Sequence, residues 1–191
     1  MTSIILGKVR ECVEDIYYFG SEINKTRETC NVFTSIKRSE MSSIRDEEIS
    51  INLWYDRLIG SWHDRMKLEH DHYEFLKAFL IHKIGEVRYF HKDQDLTSRK
   101  FVIFSTDCIA SIQFLHRPGI KQNILNVFIR SSDSINLLPA DLLYSWHILD
   151  SILKRFSLQE NLNDEINYFI TSCHYYNKDE DKVREILGVK E

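Results

Sequence analysis

Between residues 139 and 156 the chain reads PADLLYSWHILDSILKRF, and Leu142, Leu143, Trp146, Leu149, Ile152 and Leu153 recur there at the period of an α-helix. Pro139 stands where a helix tolerates proline, because the first-turn N–H groups have no intrahelical partner to lose. An apolar face this wide has to be covered, so 139–156 is expected to be a central buried helix. The flanking segments indicate what covers it. Residues 100–104 (KFVIF), 109–115 (IASIQFL) and 124–129 (ILNVFI) are short β-branched and aromatic runs, with Arg117-Pro118-Gly119 as the turn between the last two. A further strand is expected at 166–171. Together these segments predict an α+β fold with helices packed on a sheet.

Elsewhere, Val9, Cys12, Val13, Ile16 and Tyr17 share one helical stripe over 8–17, and Gly20 is a natural stop. Phe75, Leu76, Phe79, Leu80 and Ile84 predict a second helix over 73–90. Residues 34–50 (TSIKRSEMSSIRDEEIS) are polar and charged without clear period and read as a surface segment or loop. A charged helical tail ends the chain. At 191 residues with no Pro/Gly/Ser-rich divider, a single domain over 1–191 is expected.

Composition narrows the functions available. Lys and Arg number 25 against 29 Asp and Glu, a net charge of −4 that offers no general field for nucleic acid, so any phosphate recognition has to be local. No apolar run approaches the ~20 residues of a membrane span and no cationic leader precedes one, which points to the cytoplasm. Cys12, Cys30, Cys108 and Cys173 are widely spaced, as expected of free thiols in a reducing compartment.

The chemistry-bearing residues follow in order. Cys108 precedes a strand; Arg130-Ser131-Ser132-Asp133 follows one and offers a guanidinium and hydroxyls suited to phosphate; Arg99-Lys100 is a second cationic pair. Each is a weak signal alone. In sequence, CIASIQF from Cys108, RSSD from Arg130, Pro139-Ala140-Asp141 and His174-Tyr175-Tyr176 resemble the thymidylate synthase family. The likeness covers 97–187 and includes Ser98-Arg99-Lys100; Arg27, in KTRET, is similar to a further phosphate arginine.

The resemblance implies a compact thymidylate synthase-like fold, with helices on a mixed β-sheet. It implies that the Cys108 thiolate adds to C6 of a pyrimidine nucleoside monophosphate and activates C5 toward methylenetetrahydrofolate, without a metal. Arg130, Ser131 and Arg27 would hold the phosphate, helped by Arg99 and Lys100 from a second subunit of a homodimer. Lys100 replaces the family's second arginine and loses the bidentate fork. Asp133 and Asp141 would face the base, and His174 and Tyr176 the ribose.

Asp141 is the informative departure, since the family has asparagine there. An amide can donate to O4 and accept from N3–H of uracil, whereas a carboxylate suits the C4 amine of cytosine. That is the pattern of the dCMP and CMP hydroxymethylases. Residues 28–96 match least well: one register, on Leu53-Trp54-Tyr55 and Gly60, puts Ile51 near the place of the family's proton-organising glutamate and Glu47 or Glu48 only approximately there, and the alternative sets Tyr55-Asp56-Arg57-Leu58 on the family's Tyr-Gly motif. A dUMP-methylating enzyme and a non-catalytic nucleotide-binding or partner-subunit relative are the alternatives. His63, Glu69, His70, Asp71 and His72 could suggest a metal site, but His70 and His72 diverge on a helix, and His147 reads as a packed histidine.

Overall fold

The computed structural model describes residues 3–59, 62–91 and 96–189. Its elements run α1 (Ile4–Phe19), β1 (Ser21–Ile23), β2 (Thr26–Lys37), α2 (Ile44–Leu58), α3 (Trp62–His91), β3 (Val102–Phe104), β4 (Ile109–Arg117), β5 (Gln122–Asp133), α4 (Leu138–Arg155), β6 (Glu165–Tyr176) and α5 (Glu180–Leu187). The strands form a six-stranded mixed sheet in the order β1-β2-β6-β5-β4-β3. Its antiparallel pairs flank one parallel seam, β5 beside β6, and α4 is the crossover that such a seam requires. The chain is therefore α+β, five helices on one mixed sheet.

As its pattern predicts, α4 lies in the core: Leu142, Leu143, Trp146, Leu149, Ile152 and Leu153 are all buried. They meet the inward rows of the sheet, Ile112 and Phe114 of β4, Leu125, Val127 and Ile129 of β5, and Ile166, Tyr168 and Ile170 of β6. The helix over 8–17 extends to Ile4–Phe19 and stops where Gly20 N–H bonds back to Ile16 O. Gly20 is obligatory there, because a Cβ would sit 2.4 Å from that same carbonyl. On α3, Tyr73, Leu76, Leu80, Ile84 and Val87 face inward, whereas Phe75 and Phe79 are exposed.

Residues 34–50 are the main correction, since no loop spans them: they hold the end of β2, a 3-10 turn at Arg38–Glu40 and the start of α2. Two physical reasons hid these elements. The outward face of β2 is polar or solvent-facing, so its alternation is faint. In α2 the inward stripe is Glu47, Ile51, Tyr55 and Leu58, and a buried glutamate breaks the apolar period.

Glu47 is buried because it caps a different helix. Its carboxylate accepts hydrogen bonds from Ile4 N–H and Ile5 N–H, each at 3.1 Å, and from Ser3 Oγ, so α2 satisfies the orphan donors at the start of α1. A second buried carboxylate, Asp164, fixes the strands. Oδ1 accepts from Asn123 N at 2.8 Å and Asn123 Nδ2 at 2.9 Å, Oδ2 accepts from Asn161 N at 2.9 Å, and the Asp164 carbonyl accepts from Arg38 N at 2.8 Å. One residue thus joins the start of β5, the approach to β6 and the end of β2.

Replacing Glu47 strands three donors, so Glu47→Ala is expected to lower unfolding stability by about 2–3 kcal/mol, whereas Glu48→Ala, on the exposed side of α2, shifts it by less than about 0.5 kcal/mol. Urea denaturation followed by circular dichroism reads both; equal midpoints for the two variants would contradict the cap.

Candidate active site

The candidate residues other than Arg99 and Lys100 gather at one end of the sheet, where β5 and β6 finish, β2 and β4 begin and α4 starts. Local geometry there departs from simple alternation. Ile129 and Ser132 on β5 are both buried, as are Ile170 and Cys173 on β6, so the two residues between them on each strand turn out of the helix-packed layer. The neighbouring strands bend at the same level: the β4–β5 register shifts between Ile109 and Ser111, and Asn31 of β2 adopts φ 59°.

This bend sets the nucleophile candidate beside a cation. Ile109 pairs with Ile129, and one position further Arg130 N donates to Cys108 O at 2.7 Å, so Cys108 and Arg130 are cross-strand neighbours, both turned outward. Among the described residues Arg130 has no ion-pair partner, which leaves its guanidinium available to an anion. The turn ahead of Cys108 is held by Asp107 N–H donating to Ser105 Oγ at 3.1 Å and by Ser105 Oγ donating to Asp107 Oδ2 at 3.1 Å. Asp107 Oδ2 lies 3.6 Å from His72 Nδ1, which joins the turn to α3.

Along the parallel seam Ser131 pairs with Ser172 and Asp133 with His174. Ser131 Oγ and His174 Nδ1 are 3.4 Å apart, and the His174 and Tyr176 rings meet edge to face at 5.6 Å. Cys108, Arg130, Ser131, His174 and Tyr176 therefore form one outward strip. Two members of the neighbourhood carried no signal in the sequence: Glu28 pairs with His174 across β2–β6, and its carboxylate accepts from Ser172 Oγ at 2.9 Å.

The other candidates stand apart from the strip. Asp133 is nearly buried and is occupied by its own turn, accepting from Ile135 N at 3.1 Å, Asn136 N at 3.0 Å and Asn136 Nδ2 at 2.7 Å. Arg27 shares a face with the buried Tyr175, donates to Gly20 O at 3.3 Å and lies 5.8 Å from the Tyr17 ring. Asp141 lies behind the strip in the first turn of α4, accepting from Ser132 Oγ at 2.8 Å and from the Tyr73 hydroxyl. Arg99 and Lys100 are exposed on the approach to β3, beside Gln113 rather than beside the strip.

His147 is half-buried on α4, and burial holds its pKa below the ordinary histidine value. Of the residues considered for a metal, His63 and Glu69 lie outside the described side chains; His70 stands 6.1 Å from the Tyr144 ring. The Cys173 thiol is pushed to higher pKa by the Cys12 thiol that hydrogen-bonds it and by burial. No family model matches this chain, and no significant relative is found among curated proteins.

Burial divides the thiols into two classes. Cys30 and Cys108 are expected to react within seconds with an aromatic disulfide reagent in the native protein, while Cys12 and Cys173 react only after unfolding. Cys108→Ala removes one fast equivalent; a variant that keeps both would place Cys108 inside the fold.

Proposed function

We propose that this chain is a pyrimidine nucleotide C5 one-carbon transferase of the thymidylate synthase superfamily, a (d)CMP 5-hydroxymethylase using 5,10-methylenetetrahydrofolate as cosubstrate in the cytoplasm. The observation that carries the reading is the cross-strand pairing of Cys108 with Arg130, on one strip with Ser131, His174 and Tyr176. A cation beside a sulfur favours the thiolate, and a guanidinium with a neighbouring hydroxyl suits a phosphate monoester. The His174 ring and the Tyr176 hydroxyl provide hydrogen-bonding groups of the kind a ribose needs.

In this reading the Cys108 sulfur forms a bond to C6, and the ring electron pair moves to C5. C5 then bonds to the methylene that the folate cosubstrate would supply and gives up its proton; the bond from that carbon to the folate nitrogen breaks, tetrahydrofolate leaves, and water adds its hydroxyl to the resulting exocyclic methylene. Loss of the S–C6 bond restores the ring and the free thiolate. Glu47 favours a second reading, a non-catalytic relative, because it is consumed in capping α1 and so is withdrawn from any proton relay.

Tritium release from 5-tritiated dCMP, CMP, dUMP and UMP, with and without methylenetetrahydrofolate, separates these readings. Release from a cytosine nucleotide that falls at least about 10³-fold in Cys108→Ala is the expected result. Release from dUMP alone would move the reading to thymidylate synthesis. Nucleotide binding without any release would favour the non-catalytic relative.

The same reading makes the protein a homodimer, in which Arg99 and Lys100 of one protomer serve the phosphate held by the other. The face of the sheet away from the helices suits a second copy. Phe33, Phe169 and Phe128 are 60, 38 and 42 % exposed, and their rings form a continuous row with centroids 5.0 and 4.7 Å apart. Beside the row an amide ladder satisfies itself: Asn167 Nδ2 donates to Asn126 Oδ1 at 3.0 Å, Asn126 Nδ2 to Gln113 Oε1 at 3.1 Å, and Gln113 Nε2 to Arg99 O at 3.2 Å. Covering this face removes aromatic surface from water and strands none of those amides, and a two-fold pairing would use the same patch twice. Sedimentation is expected to give a dimer for the unaltered chain and a monomer for Phe169→Lys; a monomer in both cases would remove the shared phosphate clamp.

A further inference from the structure

We propose that the groove between the C-terminal half of α3 and the end of α4 binds an elongated amphipathic carboxylate, with its apolar chain along α3 and its headgroup at Arg155. The groove has a volume of about 700 Å³, and Ala78, Ile81, Gly85 and Phe156 supply its apolar lining. A concave space of this size suits one small molecule rather than a flat surface. The stretch of α3 that lines it, from Lys77 to Tyr89, is about 18 Å long, the reach of a medium-length acyl chain. From its start beside the outward strip α4 runs about 26 Å to Arg155, so the groove lies at the far end of the sheet from Cys108, away from the proposed nucleotide site.

Gly85 keeps the groove open. It stands in the interior of α3, where glycine is the poorest helix former after proline, and a Cβ built there would meet no atom within 4 Å. Packing within the fold therefore does not call for a glycine at this position. A side chain there would take up groove volume instead. Ala78, Ile81, Gly85 and Tyr89 recur about one turn apart and form a continuous wall along α3. Phe156 closes the groove from the end of α4, and its ring lies under the Arg88 guanidinium, 5.7 Å from the centroid.

Charge fixes the headgroup end. Lys77 is paired with Glu74, and the Glu86 carboxylate lies 3.8 Å from His82 Nδ1 and 3.7 Å from Lys83 Nζ. Arg155 has no ion-pair partner among the described residues. Nor is it drawn into capping α4, because Ile152 O, Leu153 O and Lys154 O accept from the N–H groups of Phe156, Leu158 and Ser157 at 3.0, 2.9 and 3.4 Å. An exposed guanidinium beside an apolar groove matches an anion with an apolar tail, and its planar fork pairs with both oxygens of a carboxylate.

Calorimetric titration of the full chain with dodecanoate, below its micelle concentration, tests this on the unaltered protein and on Gly85→Leu, Arg155→Glu and Arg155→Lys. Saturable one-to-one binding is expected. Gly85→Leu weakens it by at least about 10-fold while raising the melting temperature, since leucine is the better helix former, so filling of the groove is separated from loss of the fold. Arg155→Glu weakens binding by about 10-fold, and Arg155→Lys, which keeps the charge, restores it to within about 3-fold of the unaltered chain. Dodecanoate binding that is absent, unchanged in Gly85→Leu, or as strong in Arg155→Glu as in Arg155→Lys would overturn the assignment. So would a change of sedimentation coefficient in Gly85→Leu, which would give the groove to a second copy of the chain.

Discussion

The buried carboxylate of Asp164 is the contact on which the sheet's register rests. By accepting from the backbone and side chain of Asn123 while its own carbonyl accepts from Arg38, it ties β2, β5 and β6 together at one end. A buried acceptor fully supplied with donors tolerates little sliding, because any slip would leave a charge unpaired in the core. Register matters here because side chains alternate faces: a slip of one residue would exchange the aromatic row for the core row. From that lock the parallel seam runs in constant register to the opposite end, where Ser131 meets Ser172 and Asp133 meets His174. The lock and the candidate site thus occupy opposite ends of the same two strands.

At the site end, the bend across β2, β6, β5 and β4 changes which residues face outward. Without it, simple alternation would turn Ser131 toward the helices and put Cys108 on the opposite face from Arg130, which is outward in either case. The bend also places Ser132 inward, where its hydroxyl meets Asp141, while Ser131 stays outward near His174. Adjacent serines in RSSD consequently serve two environments, one solvated and one buried.

The division between buried and outward groups also organises the chemistry we propose. The outward strip is built for charge and hydroxyl contacts with solvent access, as a nucleotide phosphate and sugar require. The inward group of Tyr73, Asp141 and Ser132 is buried, and there the Asp141 carboxylate accepts from both hydroxyls. The open aromatic face lies beyond the strip along the same strands, so a partner seated there would approach the site directly.

Much of this was legible from spacing. The buried helix at Leu138–Arg155, the strands on either side of Arg117-Pro118-Gly119 and the Gly20 stop all follow from short-range period and turn chemistry, which the chain carries locally. The order of Cys108, Arg130, Ser131, His174 and Tyr176 was likewise visible, and the structure brings these residues together. β2 and α2 were not legible, because one carries a solvent-facing side on a strand and the other spends an inward position on Glu47. Neither were the roles of Glu28, Tyr73, Ser132 and Asp164, whose partners stand on other elements. The sequence determined which segments are helix or strand and which residue types carry chemistry, since both depend on neighbours a few positions apart. Only the tertiary structure decided that Asp141 accepts from Tyr73 and Ser132, that Cys108 neighbours Arg130 and that Arg27 turns away, because those depend on register and facing, which long-range burial fixes.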